Sequence, residues 1–106
     1  MAANSLGKIT VTTGGTPVRV TANHIGVNSI AFQQLAAQTG KIFIGTATLN
    51  KGTLVGVLAV LAVPTANILP SASFTIVNAP AGLDARDFWV DADVNGEGVL
   101  VSYTEQ

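Results

Sequence analysis

Cysteine is absent from this chain of 106 residues, which excludes a disulfide framework and any thiolate metal site. Charge is scarce as well: five basic and six acidic residues give a net charge of −1 and make up 10% of the sequence, against about 25% in an ordinary soluble domain. A free domain usually stays soluble through interspersed charges and a net charge of magnitude ~2–8, so the deficit implies that part of this surface is covered by something else. The basic residues Lys8, Arg19, Lys41, Lys51 and Arg86 are scattered, whereas neutralising a phosphate backbone needs them clustered. Nucleic acid is therefore not an expected partner. Long apolar runs are missing too. The longest, residues 54–63, is interrupted by Gly56 and is about half of the ~20 residues that a membrane-spanning helix requires, so no membrane segment is expected. Residues 1–8 have neither the basic nor the apolar region of a secretory signal.

What is present is alternation. A chain of this length buries roughly two thirds of its unfolded surface, enough for one core, and residues 1–106 are read as a single domain. Short period-2 patterns broken by Gly, Pro and Asn mark half-buried strands with tight turns. Ile9 and Val11 alternate with polar neighbours before Gly14-Gly15, and Val18 and Val20 do so after it. A two-residue turn there favours positive φ at both positions and would set Val11 opposite Val18 and Ile9 opposite Val20. Ile30 and Phe32, Ile42 and Ile44, and Phe74 and Ile76 mark further strands. Residues 54–63 carry leucines at helical spacing, but Gly56, Pro64 and the density of valine favour a strand that is apolar on both faces. An antiparallel sheet normally keeps one polar face, so such a strand points to a covered surface.

At the carboxyl end Asn95-Gly96 is a strong hairpin signal. The register it implies sets Ala92 opposite Val99, Val90 opposite Val101 and Phe88 opposite Tyr103, all on the core face. Trp89 then falls on the other face, diagonal to Leu100, either shielded by a loop of its own chain or held for another subunit. About eight short antiparallel strands without a convincing helix predict an all-β, single-domain β-sandwich of jelly-roll type. Residues 1–7, small and polar, are expected to form a flexible arm, as is the extreme end, Glu105-Gln106.

Residues that could carry chemistry are few. His24 is the sole histidine, with no second one to make a metal pair. The serines lack a nucleophile-elbow context, and Gly14-Gly15 lacks the lysine of a phosphate loop. Asp91, Asp93 and Asn95, followed by Gly96, match the opening of a calcium loop, but the twelfth position is Ser102 instead of a bidentate glutamate. The Asn-Gly turn explains the same residues, so no metal and no cofactor is expected. With no paired acid and base and no activated nucleophile, the chain does not read as an enzyme. Trp89, Leu100, Leu54, Val55, Val57 and Leu58 are the candidate interface residues.

Three segments bear a family likeness: residues 9–18 (ITVTTGGTPV), 39–45 (TGKIFIG) and 87–99 (DFWVDADVNGEGV). Through them the chain resembles the small decoration or cement proteins of tailed-phage heads, although the strongly apolar residues 54–63 depart from that pattern. The resemblance implies a β-sandwich, often trimeric, that sits on the capsid surface of the virion, binds the lattice of the major capsid protein and stabilises it as a homo-oligomer without catalysis. The alternative is a ligand-binding module of carbohydrate type, on a phage tail or fibre or elsewhere. It requires clustered aromatics, and Trp89, Tyr103 and four phenylalanines are all there is to supply them.

Overall fold

The computed structural model describes residues 3–35, 39–62, 73–77 and 83–105. Among them run eight strands: β1 Ala3–Thr10, β2 Val18–Arg19, β3 Val27–Gln34, β4 Ile42–Gly45, β5 Val57–Leu61, β6 Ser73–Ile76, β7 Trp89–Ala92 and β8 Gly98–Glu105, with a short 3-10 turn at Ala85–Asp87. They form two four-stranded sheets, β1-β8-β3-β6 and β2-β7-β4-β5, and every neighbouring pair is antiparallel. The pairs β1·β8, β2·β7, β3·β6 and β4·β5 are the rungs of one long hairpin folded between β4 and β5. Rolling that hairpin brings β8 beside β3 and β7 beside β4, which is jelly-roll connectivity. The sandwich expected from the alternation is the observed fold.

The core lies between the sheets because alternate side chains of each strand point inward. Ile30, Phe32, Val99 and Val101 enter from one sheet, and Ile42, Ile44, Val90 and Ala92 from the other, all fully buried. Phe32 is the hub, with ring centroids 6.2 Å from Phe74 and 5.3 Å from Phe88. Two bulges keep the pattern in phase where simple alternation fails. Leu6 and Ile9 are three residues apart, which would put them on opposite faces. A register shift between Ser5 and Gly7, with Gly7 at φ +72°, turns both toward the core. The same device between Val27 and Ser29 lets Val27 and Ile30 both face inward.

Neither expected hairpin forms. β1 and β2 lie in different sheets, so Ile9 opposes Val99, and Val18 opposes Val90. Likewise β7 and β8 are split: Ala92 opposes Ile42, Val90 opposes Ile44, Val101 opposes Phe32, and Tyr103 opposes Ile30. The side chains face the core as expected, but across the sandwich. The reason is that the two glycine turns satisfy each other's backbone. Val11 N–H donates to the Glu97 carbonyl (2.9 Å), Gly96 N–H donates to the Val11 carbonyl (2.8 Å), and Gly14 N–H donates to Asn95 Oδ1 (2.7 Å). The approach is close enough that a β-carbon on Gly14 would come within 2.7 Å of the Ala92 oxygen. Residues 3–7, read as part of an arm, are the first half of β1, where Ala3, Asn4 and Ser5 pair with Thr104, Tyr103 and Ser102. β8 likewise extends to Glu105, because backbone pairing does not depend on apolar side chains.

Candidate interaction surface

After β4 the chain leaves the sheet through residues 46–56 and folds back on itself before entering β5. Thr46 N–H donates to the Gly56 carbonyl (2.9 Å), Asn50 N–H to the Val55 carbonyl (2.9 Å) and Leu54 N–H to the Asn50 carbonyl (2.8 Å). Asn50 Oδ1 accepts from Gly52 and Thr53 N–H at 2.9 and 3.1 Å, the side-chain capping for which Asn is favoured in turns. Leu49 is buried beneath this loop against Gly45, and Lys51 Nζ donates to the Ala92 carbonyl (2.9 Å) and pairs with Asp93 (3.3 Å). The loop is therefore anchored at its base. At its tip Leu54 adopts φ +64°, a left-handed conformation that costs a non-glycine residue roughly 1–2 kcal/mol.

This strained tip presents apolar side chains to solvent. Leu54 is 56% and Val55 58% exposed, and the outward positions of β5 continue the surface with Leu58 at 50% and Val60 at 43%. Val57, Ala59 and Leu61 turn the other way, so residues 54–63 divide into an exposed turn and a strand that is apolar on both faces. Val57, a sequence candidate, is half-buried on the inner side, and Val63 lies outside the described residues. From residue 52 to residue 83 the sequence contains no charged side chain. β5 is an edge strand, paired among the described residues with β4 alone.

Trp89 stands on the outer face of β7, half-buried and outside the core cluster. The Arg19 guanidinium of the neighbouring β2 lies 5.8 Å from its ring centroid, and Arg19 Nε donates to the Arg86 carbonyl at 2.6 Å. With Thr46, Ala47, Arg86 and Asp87 these residues line an open groove of about 420 Å³. Leu100 is exposed on β8 between Lys8 and Gln33, on the outer face of the other sheet. The apolar spot expected from Trp89 and Leu100 together is thus replaced by two separate positions, because β7 and β8 do not pair.

The acidic turn has structural tasks. Asp91 is buried, and its Oδ1 accepts from Gly15 N–H (2.9 Å) and Ala92 N–H (2.8 Å). Asn95 holds Gly14, and Asp93 faces Lys51. Among the described residues no group of three or more His, Asp or Glu is placed to hold a metal ion. His24 is exposed, and its Nδ1 meets Asp84, a buried carboxylate that also accepts from Ile25 N–H (3.1 Å) and Arg86 N–H (3.0 Å). Burial pushes the Asp84 carboxyl up. Hydrogen bonds from Arg86, Ile25 and His24, together with the His24 charge, outweigh that and hold it below the ordinary carboxylate value.

Comparison with protein families, curated proteins and solved structures yields no match. Several relevant residues escaped the sequence reading. Val60 could have been found from its period-2 phase with Leu58. Arg19 and Asp84 could not, because each acquires its partners across the fold.

Proposed function

We propose that this protein is a non-enzymatic structural component of a phage head, bound to the assembled lattice of the major capsid protein and reinforcing it from the capsid surface as a homo-oligomer. The observation that carries this reading is the exposed apolar surface of Leu54, Val55, Leu58 and Val60 within a stretch free of charge. A lone domain gains nothing from holding a leucine outward in a strained conformation, whereas an assembly contact is apolar at its centre and depleted of charge. A protein that binds the assembled shell better than free subunits adds its binding free energy to the assembled state, and many identical sites act together. Co-sedimentation tests this: the protein should pellet with assembled heads of the phage that encodes it and remain in the supernatant with free coat subunits. Equal binding to both, or to neither, refutes the reading.

A second reading, a saccharide-binding module, is favoured by one observation, the groove that places Arg19 over Trp89. Trp89 is the only tryptophan, so saturable changes in its emission on titration with oligosaccharides would support that reading, and an unchanged spectrum would exclude it at this groove.

A further inference from the structure

We infer that Asn95-Gly96 is a self-modification site held closed by the fold: the corner where residues 11–15 meet residues 91–97 protects Asn95 from deamidation, and each opening of that corner exposes it to irreversible loss of its amide. The chemistry is intramolecular. The Gly96 backbone nitrogen, deprotonated by hydroxide, attacks Asn95 Cγ; the Cγ–Nδ2 bond breaks, ammonia leaves, and a five-membered succinimide remains. Water then adds to one of the two ring carbonyls and opens it to an aspartyl or an isoaspartyl residue. Glycine is the following residue that hinders this attack least, having no side chain and free access to either sign of φ, and residues 95–96 are the only Asn-Gly pair in the chain. Both residues are exposed, so water and hydroxide reach them.

The folded corner opposes the attack at each participant. Gly96 N–H, the nucleophile, donates to the carbonyl of fully buried Val11 at 2.8 Å, and a hydrogen bond made by the protonated form opposes its loss of a proton. Asn95 Oδ1 accepts from Gly14 N–H at 2.7 Å, which tethers the electrophile to the facing turn. The backbone between them is also set against ring closure. Glu97 N–H donates to the Val94 carbonyl (3.3 Å), Gly96 has φ +85°, and Asn95 is not among the residues of positive φ. These are the signs of a type II turn, whose first central residue has ψ of about +120°. Closing the ring requires Asn95 Cβ and Gly96 N to eclipse about the Cα–C bond, which happens at negative ψ. The turn must therefore open before the ring can form. The two products then differ. An aspartyl residue keeps an oxygen for Gly14 N–H, whereas an isoaspartyl residue adds a methylene to the backbone and displaces Gly96 from Val11, so it cannot rebuild the corner. This reactivity is independent of the assembly reading.

The test is to hold the full chain at mildly alkaline pH, in native buffer and in guanidinium chloride, and to follow conversion at Asn95 by peptide mass spectrometry. Native protein should convert about tenfold or more slowly than unfolded protein, because opening the corner breaks several hydrogen bonds together. Asp91→Ala releases Gly15 N–H beside the tethered Gly14 and should speed conversion in native buffer while leaving the rate in denaturant unchanged. A second measurement needs no variant: the protection of Gly96 N–H against hydrogen exchange in the unmodified protein should match, in order of magnitude, the slowing of deamidation, since both require the same opening. The isoaspartyl form, separated by ion exchange, should melt below both the original protein and Asn95→Asp. Equal rates in native buffer and denaturant overturn the inference. So does an Asp91→Ala variant that folds yet converts no faster, a Gly96 amide far better protected than Asn95, or an isoaspartyl form that melts with the original.

Discussion

Phe32 and Trp89 are both large aromatic residues on strands, and the structure assigns them opposite roles. Phe32 is fully buried at the junction of Phe74 and Phe88. Trp89 is half-buried on an outer face, with Arg19 over its ring. Truncating a buried aromatic to alanine costs ~3–5 kcal/mol, because the removed contacts leave a cavity that closes only in part. Phe32→Ala should fall in that range, a large fraction of the roughly 5–15 kcal/mol that holds a domain of this kind together. For Trp89→Ala no inter-sheet cavity forms. What is lost is the partial burial of one ring and a cation–π contact worth about 0.5–1 kcal/mol at an exposed site, so the total should be about 1–2 kcal/mol. The assay is urea unfolding followed by circular dichroism, since Trp89 is the only tryptophan and its removal abolishes the fluorescence signal. Equal losses for the two variants would refute the assignment of the faces of β3 and β7.

Asp91→Ala strands the N–H groups of Gly15 and Ala92 and should cost about 1–3 kcal/mol, while a calcium chelator should leave the melting temperature of the unmodified protein unchanged; a chelator-induced drop of several degrees would show a metal in the acidic turn. Asp84 has a folded-state value below its unfolded one, so its contribution is complete above about pH 4 and is lost as pH falls through the folded value. Asp84→Asn should therefore reduce urea resistance at pH 7 and flatten the acid-induced loss below pH 4, and an unchanged acid profile would contradict this. Leu54→Gly should relieve the left-handed strain and raise stability by about 1 kcal/mol, measured by thermal melting, while weakening association.

The faces of the strands were legible because alternation is a local signal: Val90, Ala92, Val99 and Val101 needed no partner to declare their inward side. Pairing was not. Asn95-Gly96 and Gly14-Gly15 have the chemistry of tight hairpin turns, and the same chemistry serves a corner that crosses between sheets. What decides between them is the contact of residues 11–15 with residues 91–97, distant in sequence and invisible to any short window. The bulges at Leu6 and Asn28 were hidden for a similar reason, since a three-residue spacing such as Leu6 to Ile9 reads as broken alternation until the extra residue is accommodated opposite a partner strand. For the surface, the lack of charge announced that something is covered, and Leu54, Val55 and Leu58 were singled out from the apolar run at residues 54–63. The left-handed turn that holds Leu54 outward was not foreseen, because leucine has no preference for it and only the hydrogen bonds around Asn50 impose it.

The central claim, that this surface reinforces an assembled shell, is tested most directly by the disruption temperature of phage heads. Heads stripped of the protein should fall apart at a lower temperature than complete heads. Adding it back should restore the difference, because a ligand of the assembled state alone must stabilise that state. A Leu54→Asp, Val55→Asp double variant that melts like the original protein should fail to restore it. Heads whose disruption temperature is indifferent to the protein, or a double variant that restores it fully, would contradict the claim.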